Sequence, residues 1–144
     1  MAIRESKAVL TFDFEEDHQA LYLGHGVGVS GGAMSGRLVF SLEEIEEWRV
    51  MDPGTHLILA RNDTVPDDIQ EIHAADGLLT ARGGLTSHAA VIAHRLGKTC
   101  VVSCANLDCY EKEKYCEFNQ LKIKSGEHIS IDGHEGSVYQ GLTK

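Results

Sequence analysis

The stretch Thr80-Ala-Arg-Gly-Gly-Leu-Thr-Ser-His-Ala-Ala-Val-Ile-Ala-His-Arg-Leu-Gly97 sets two glycines, two hydroxyl residues and a histidine ahead of an almost wholly apolar run. The glycines free the backbone, and the run that follows has strong helical propensity. This order predicts a loop entering a buried helix from Thr86 to Leu96, with Thr86 or Ser87 as N-cap and Gly97 as C-cap. Small residues at Ala89, Ala90 and Ala93 let such a helix press closely on a sheet. His88 then falls in the first turn, where unpaired N–H groups and the positive end of the helix dipole are available to an anion.

Outward from this stretch the chain has an α/β rhythm. Leu78 to Thr80 before it and Thr99 to Ser103 after it read as strands. Upstream, Arg37 to Ser41 is strand-like. Leu42 to Trp48 reads as a helix with Ser41 as its cap, and glutamates stand near its start. His56 to Ala60 is a buried strand, and Pro66 opens a helix through Ala74 with Ile69 and Ile72 as its apolar edge. The glycines from Gly24 to Gly36 suggest turns between short extended pieces. Downstream, Leu121 to Ile123, His128 to Ile131 and Ser137 to Tyr139 read as short strands of a terminal β-meander. Residues 1–22, with a possible strand at Ala8 to Phe12 and an acidic patch at Asp13 to Asp17, read as a lead or linker, and 23–144 as the domain.

The chain's 144 residues suffice for one compact domain with a real core. Lysine and arginine number 13 against 22 aspartates and glutamates, a net charge of −9 that disfavours nucleic acid and anionic membrane surfaces as partners. No apolar run approaches the roughly 20 residues needed to cross a bilayer, and Met1 to Glu15 lacks the order of a signal peptide. A cytoplasmic location is expected.

Three other motifs carry less. Gly26-Val-Gly-Val-Ser-Gly31 has the spacing of a dinucleotide fingerprint but is followed by more glycine and a strand, not by the helix that fingerprint needs. Gly97-Lys98-Thr99 resembles the end of a P-loop, yet Ile92 stands where its first glycine should. Cys100, Cys104, Cys109 and Cys116 contain no C-x-x-C pair, so no metal is assigned, and Cys100 reads as a buried thiol. His94 follows His88 by six residues, about 240° round a helix and off its face. His25 is a weaker candidate for a supporting role in the glycine-rich segment, and His18, His56, His73, His128 and His134 carry no spacing signal.

An imidazole is nucleophilic only when neutral, and the positive end of a helix opposes its protonation. A phosphoryl group on His88 would need donors, and Arg82, the amides around Gly83 and Gly84, and the hydroxyls of Thr86 and Ser87 are near in sequence. His88 is therefore the candidate catalytic residue, with those five as candidate phosphate-stabilising groups.

The segment Gly83-Gly-Leu-Thr-Ser-His-Ala-Ala-Val-Ile-Ala93 closely resembles the active-site signature of the pyruvate phosphate dikinase and phosphoenolpyruvate (PEP) synthase family. The resemblance extends back through Asp76 to Arg82 and forward through Gly97 to Val102, with looser similarity from Gly24 to Gly141, about four-fifths of the chain. It implies a swivelling β/β/α phosphohistidine domain that carries phosphate between a nucleotide-binding domain and a PEP- or pyruvate-binding domain. His88 matches the carrier histidine and Thr86 the threonine beside it, a regulatory phosphorylation site in plant dikinases. Enzyme I and rifampicin phosphotransferase have related histidine domains.

The chain departs from the family pattern at Gly28-Val29-Ser30, at His94, and at Ser103, where a glycine is usual. It has no length for the two partner domains, so it is expected to be a fragment or a carrier with separately encoded partners. It is expected to bind no cofactor itself, with magnesium in the partner domains. Two alternatives differ in class: a non-catalytic interaction or regulatory module of the same fold, and a metal site built from the four cysteines and a histidine.

Overall fold

A computed structural model describes residues 21–64, 68–84 and 87–141. Strand β1 (Leu21–His25) begins two residues ahead of the boundary read from the sequence. It is followed by β2 (Val27–Ser30), β3 (Ala33–Val39), α1 (Leu42–Met51), β4 (Leu57–Arg61), α2 (Ile69–Ala74), β5 (Gly77–Thr80), α3 (His88–Leu96) and β6 (Thr99–Val102). The chain then runs through β7 (Leu107–Tyr110), β8 (Tyr115–Phe118), β9 (Leu121–Lys124), β10 (His128–Asp132) and β11 (Ser137–Gln140). The possible strand at Ala8 to Phe12, the helix start at Pro66, and Thr86 lie outside the described residues.

Eight strands form one sheet in the order β1-β11-β10-β3-β4-β5-β6-β2, and β7-β8-β9 form a second. Strands β3, β4, β5 and β6 are parallel neighbours joined in turn by α1, α2 and α3. Successive right-handed crossovers in one direction put all three helices on one face. The other face takes the small sheet. Alternation along the central strands confirms the layering: Leu57, Leu59, Leu78, Cys100 and Val102 pack with α1, α2 and α3 residues. Ile58, Ala60, Leu79 and Val101 pack with Leu107, Cys116, Phe118 and Ile123 of the small sheet. Two apolar faces on each strand explain why these strands read as continuous apolar runs. The architecture is the three-layer β/β/α arrangement expected from the sequence.

Local signals hold at α1 and α3. Ser41 caps α1, its hydroxyl accepting the Glu44 N–H at 3.2 Å, and the buried Glu44 carboxylate reaches back to the Phe40 N–H at 2.7 Å. Gly97 ends α3 in the left-handed conformation, φ 70°.

Other expectations need correction. The tail is not one meander: β9 belongs to the small sheet, whereas β10 and β11 form a hairpin in the large one. Glycines 24, 28 and 36 lie inside strands instead of turns. At Gly28 the reason is a close backbone crossing, since a Cβ there would stand 2.5 Å from the Gly133 carbonyl oxygen. Ile72 is buried but Ile69 is 41% exposed, so the apolar edge of α2 is narrower than its sequence suggests. Strand β6 stops at Val102 because Ser103 turns to φ 58°.

Candidate active site

The C-terminal ends of β4, β5 and β6 converge on the loop that leads to His88. The Ala81 N–H bonds to the Arg61 carbonyl at 3.0 Å and the Arg82 N–H to the Asn62 carbonyl at 2.8 Å, so the β4–β5 ladder continues past Thr80. From the other side the Cys104 N–H donates to the Thr80 carbonyl at 3.0 Å. The Thr80 hydroxyl then bends the chain by donating to the Arg82 carbonyl at 2.6 Å. In open parallel sheets this edge is where ligands bind.

Gly83 follows with φ 99°, a conformation that favours glycine. The Ser103 hydroxyl donates to its carbonyl. The Ser87 N–H bonds to the Gly84 carbonyl at 3.0 Å, closing the loop on itself, and Ser87 is the N-cap of α3. Its hydroxyl accepts the Ala90 N–H at 3.3 Å and its carbonyl the Val91 N–H at 3.0 Å. The hydroxyl keeps its own proton to donate.

His88 is the first residue of α3 and is exposed, while Ala89, Ala90 and Ala93 are buried against the sheet. The helix is thus anchored on its alanine face and offers the imidazole to solvent. Among the described residues the N–H groups of Gly84, His88 and Ala89 find no acceptor. N–H donors at the positive end of a helix, next in the chain to an exposed imidazole, are able to hold an anion joined to that ring.

Arg82 is exposed, and no ion pair holds its guanidinium among the described residues. It borders an open polar cleft of about 420 Å³ whose other walls include Asn106, Asp108, Glu117, Asn119 and Gln120. Arg82, Gly83 and Gly84 thus follow the end of β5, and Ser87 and His88 open α3. Thr86 is outside the described residues.

Beneath the loop lies a layer that the sequence did not reveal. Arg61, 6% exposed, donates to the Phe40 carbonyl and pairs with Asp68 at 3.6 Å, Glu71 at 3.8 Å and Glu111 at 3.3 Å. The Asn62 carboxamide ties β4 to β7 through the backbone of Cys109. A signal for β7 and β8 was present in the alternation of Leu107 with Cys109 and of Cys116 with Phe118 around a charged Glu-Lys-Glu-Lys turn.

The other histidines stand apart from this constellation. His94 is exposed on α3, His25 ends β1, and His128 lies on β10, where burial and the Arg37 charge hold its pKa below the ordinary value against the opposing pull of Asp52. The layering separates the four cysteines that the metal reading groups together. Cys100 packs on the helix side, whereas Cys104, Cys109 and Cys116 pack on the small-sheet side. Burial pushes the Cys100 thiol up to about 12 and the Cys104 thiol to about 11. Among the described residues no group of three or more His, Cys, Asp or Glu side chains is placed to hold a metal ion. The Gly26–Gly31 fingerprint look-alike runs along β2 and opens no helix.

Comparison with known proteins gives the chain's relatives. The family described as PEP-utilising enzyme, mobile domain, matches residues 53–136. The chain is 45% identical over 116 residues to a chloroplastic pyruvate, phosphate dikinase of Arabidopsis thaliana, a match covering 81% of this chain and 12% of that protein. It is 39% identical over 119 residues to the pyruvate, phosphate dikinase of Clostridium symbiosum, covering 83% and 13%. With that of Rickettsia felis it is 36% identical over 150 aligned positions, covering 96% and 17%. An NMR structure of Enzyme I aligns at TM-score 0.42 and 26% identity, over 62% of this chain and 31% of that one. The chain spans between 12 and 17% of the length of the three dikinases. The family match runs through β4, β5, the Gly83–Gly84 loop and α3, and it takes in more than half of the chain. The chain belongs to the mobile-domain family of PEP-utilising enzymes.

Proposed function

We propose that this domain is a phosphoryl carrier, with His88 taking a phosphoryl group at one partner site and giving it up at another. The observation that carries this reading is the exposed His88 imidazole at the start of α3, beside the N–H groups of Gly84, His88 and Ala89, which find no acceptor among the described residues. A neutral ring nitrogen attacks the phosphorus. The P–N bond forms as the P–O bond to the donor breaks, and the leaving oxygen departs with the electron pair. The reverse step returns the group to an acceptor. The protein's part in either direction is to position the ring and stabilise charge on the three equatorial oxygens. The amides, the Ser87 hydroxyl, the Thr86 hydroxyl and Arg82 are the groups assigned to that task.

The names of the dikinase relatives support pyruvate, and the family description PEP, on one side of the cycle, and this reading puts a nucleotide on the other. In this reading the domain holds no resident cofactor. Magnesium and nucleotide belong to a nucleotide-binding domain, and PEP or pyruvate to another, in the same polypeptide or in separate ones, in the cytoplasm. Residues 23–144 form the carrier unit.

Phosphorus NMR of the chain after incubation with phosphoramidate, a small donor that needs no partner domain, tests the assignment. A single protein-bound resonance that survives alkaline pH, disappears in acid and is absent from His88→Ala is expected. A folded wild-type chain without that resonance would favour a non-catalytic interaction module.

A further inference from the structure

Ser103 combines two features that neither neighbouring strand requires. Its φ of 58° lies in the left-handed region, where a non-glycine residue is uncommon. Its hydroxyl also crosses from the end of β6 to the end of β5 and donates to the Gly83 carbonyl, 20 residues away in sequence. The backbone beside it is already held, because the Cys104 N–H bonds to the Thr80 carbonyl at 3.0 Å and the Leu107 N–H to the Cys104 carbonyl at 3.1 Å. The turn therefore has its own support, and the Ser103 hydroxyl acts on the loop.

What it acts on follows from peptide geometry. In a trans peptide the C=O of one residue and the N–H of the next point to opposite edges of one plane. Fixing the Gly83 carbonyl on Ser103 directs the Gly84 N–H away from the β6 end, and that N–H has no acceptor among the described residues. Two consecutive glycines would otherwise leave this peptide free to rotate.

We propose that Ser103 is a positioning residue for phosphoryl transfer, holding the Gly83–Gly84 peptide so that the Gly84 N–H stays available to the phosphoryl oxygens on His88. The inference rests on the carrier reading and adds to it a device outside the loop and outside α3. A preorganised donor costs no reorientation at the moment of reaction, whereas a free Gly-Gly peptide must be ordered each time.

The test compares wild type with Ser103→Gly, Ser103→Ala and Ser103→Thr for melting temperature and for the rate of His88 labelling by phosphoramidate. Ser103→Gly relieves the left-handed conformation but deletes the hydroxyl. It should melt no lower than wild type yet label about three- to tenfold more slowly, the range expected for one lost hydrogen bond. Ser103→Ala should be slow as well and melt below Ser103→Gly. Ser103→Thr keeps the hydroxyl on a residue less suited to positive φ, so it should melt lower but label within about twofold of wild type. A purely structural role would move rate and stability together. Labelling of Ser103→Gly at the wild-type rate would overturn the clamp while leaving the carrier reading standing. A wild-type chain that takes no label would overturn both.

Discussion

The Asn62 carboxamide grips the backbone of Cys109 at two points, accepting its N–H at 2.7 Å and donating to its carbonyl at 2.8 Å. Because the Asn62 carbonyl also accepts the Arg82 N–H, one residue joins the small sheet to the start of the His88 loop. Asn62→Ala removes both side-chain bonds and leaves the outer backbone edge of β7 without them, which should cost about 2 kcal/mol. Urea denaturation should show the lower midpoint, and amide exchange should accelerate at Cys109 before it does in β4. Equal protection at Cys109 in wild type and variant would show that the small sheet is held by its apolar face alone.

Arg61 stands among three carboxylates, those of Asp68, Glu71 and Glu111. Arg61→Leu keeps apolar volume but removes the buried cation shared by Asp68, Glu71 and Glu111, so a loss of about 3 kcal/mol is expected near neutral pH. Urea denaturation near neutral pH should show the lower midpoint. A midpoint equal to that of wild type would mean that the cluster adds nothing by charge.

The contrast between these two residues and His88 shows what could be read from the sequence. The central strands, α1 and α3 announced themselves through continuous apolar runs, the Ser41 cap and the alanine face of α3, because burial imposes local patterns. His88 stood out because glycines, hydroxyls and a helix start are adjacent in the chain. Asn62, Arg61 and Ser103 carry no such pattern. Each has a partner 47, 50 or 20 positions away, in Cys109, Glu111 and Gly83, which only the meeting of β7 and its turn with β4, and of the β6 end with the β5 end, reveals. Strands β7 and β8 were obscured because their cysteines invited a chemical reading, when Cys109 and Cys116 are paired across the hairpin as core residues.

His128 gives the fold an acid-sensitive point. Burial foremost, and then the Arg37 charge, hold its pKa below the ordinary 6.5, against Asp52. The native state therefore binds the proton less firmly than the unfolded chain. Stability present above about pH 6.5 is lost as pH falls below it. Melting at pH 7.5 and pH 5.5 should show a larger drop for wild type than for His128→Gln. Equal drops would place the acid sensitivity elsewhere.

All four cysteines are free and buried, and burial raises the thiols of Cys100 and Cys104. Thiolates are the reactive species, so a native sample at pH 8 should react with Ellman's reagent only as slowly as it opens. All four thiols should react at once in guanidinium. One fast thiol in the native protein would contradict the packing assigned to this cluster.

The central claim is that His88 carries phosphate, and the most direct measurement is intact mass and peptide mapping after phosphoramidate treatment, read at alkaline pH. The account predicts one added phosphoryl group, located on the peptide that contains His88 and missing from His88→Ala. A folded wild-type chain that gains no phosphate, or a His88→Ala variant that gains as much as wild type, would contradict it.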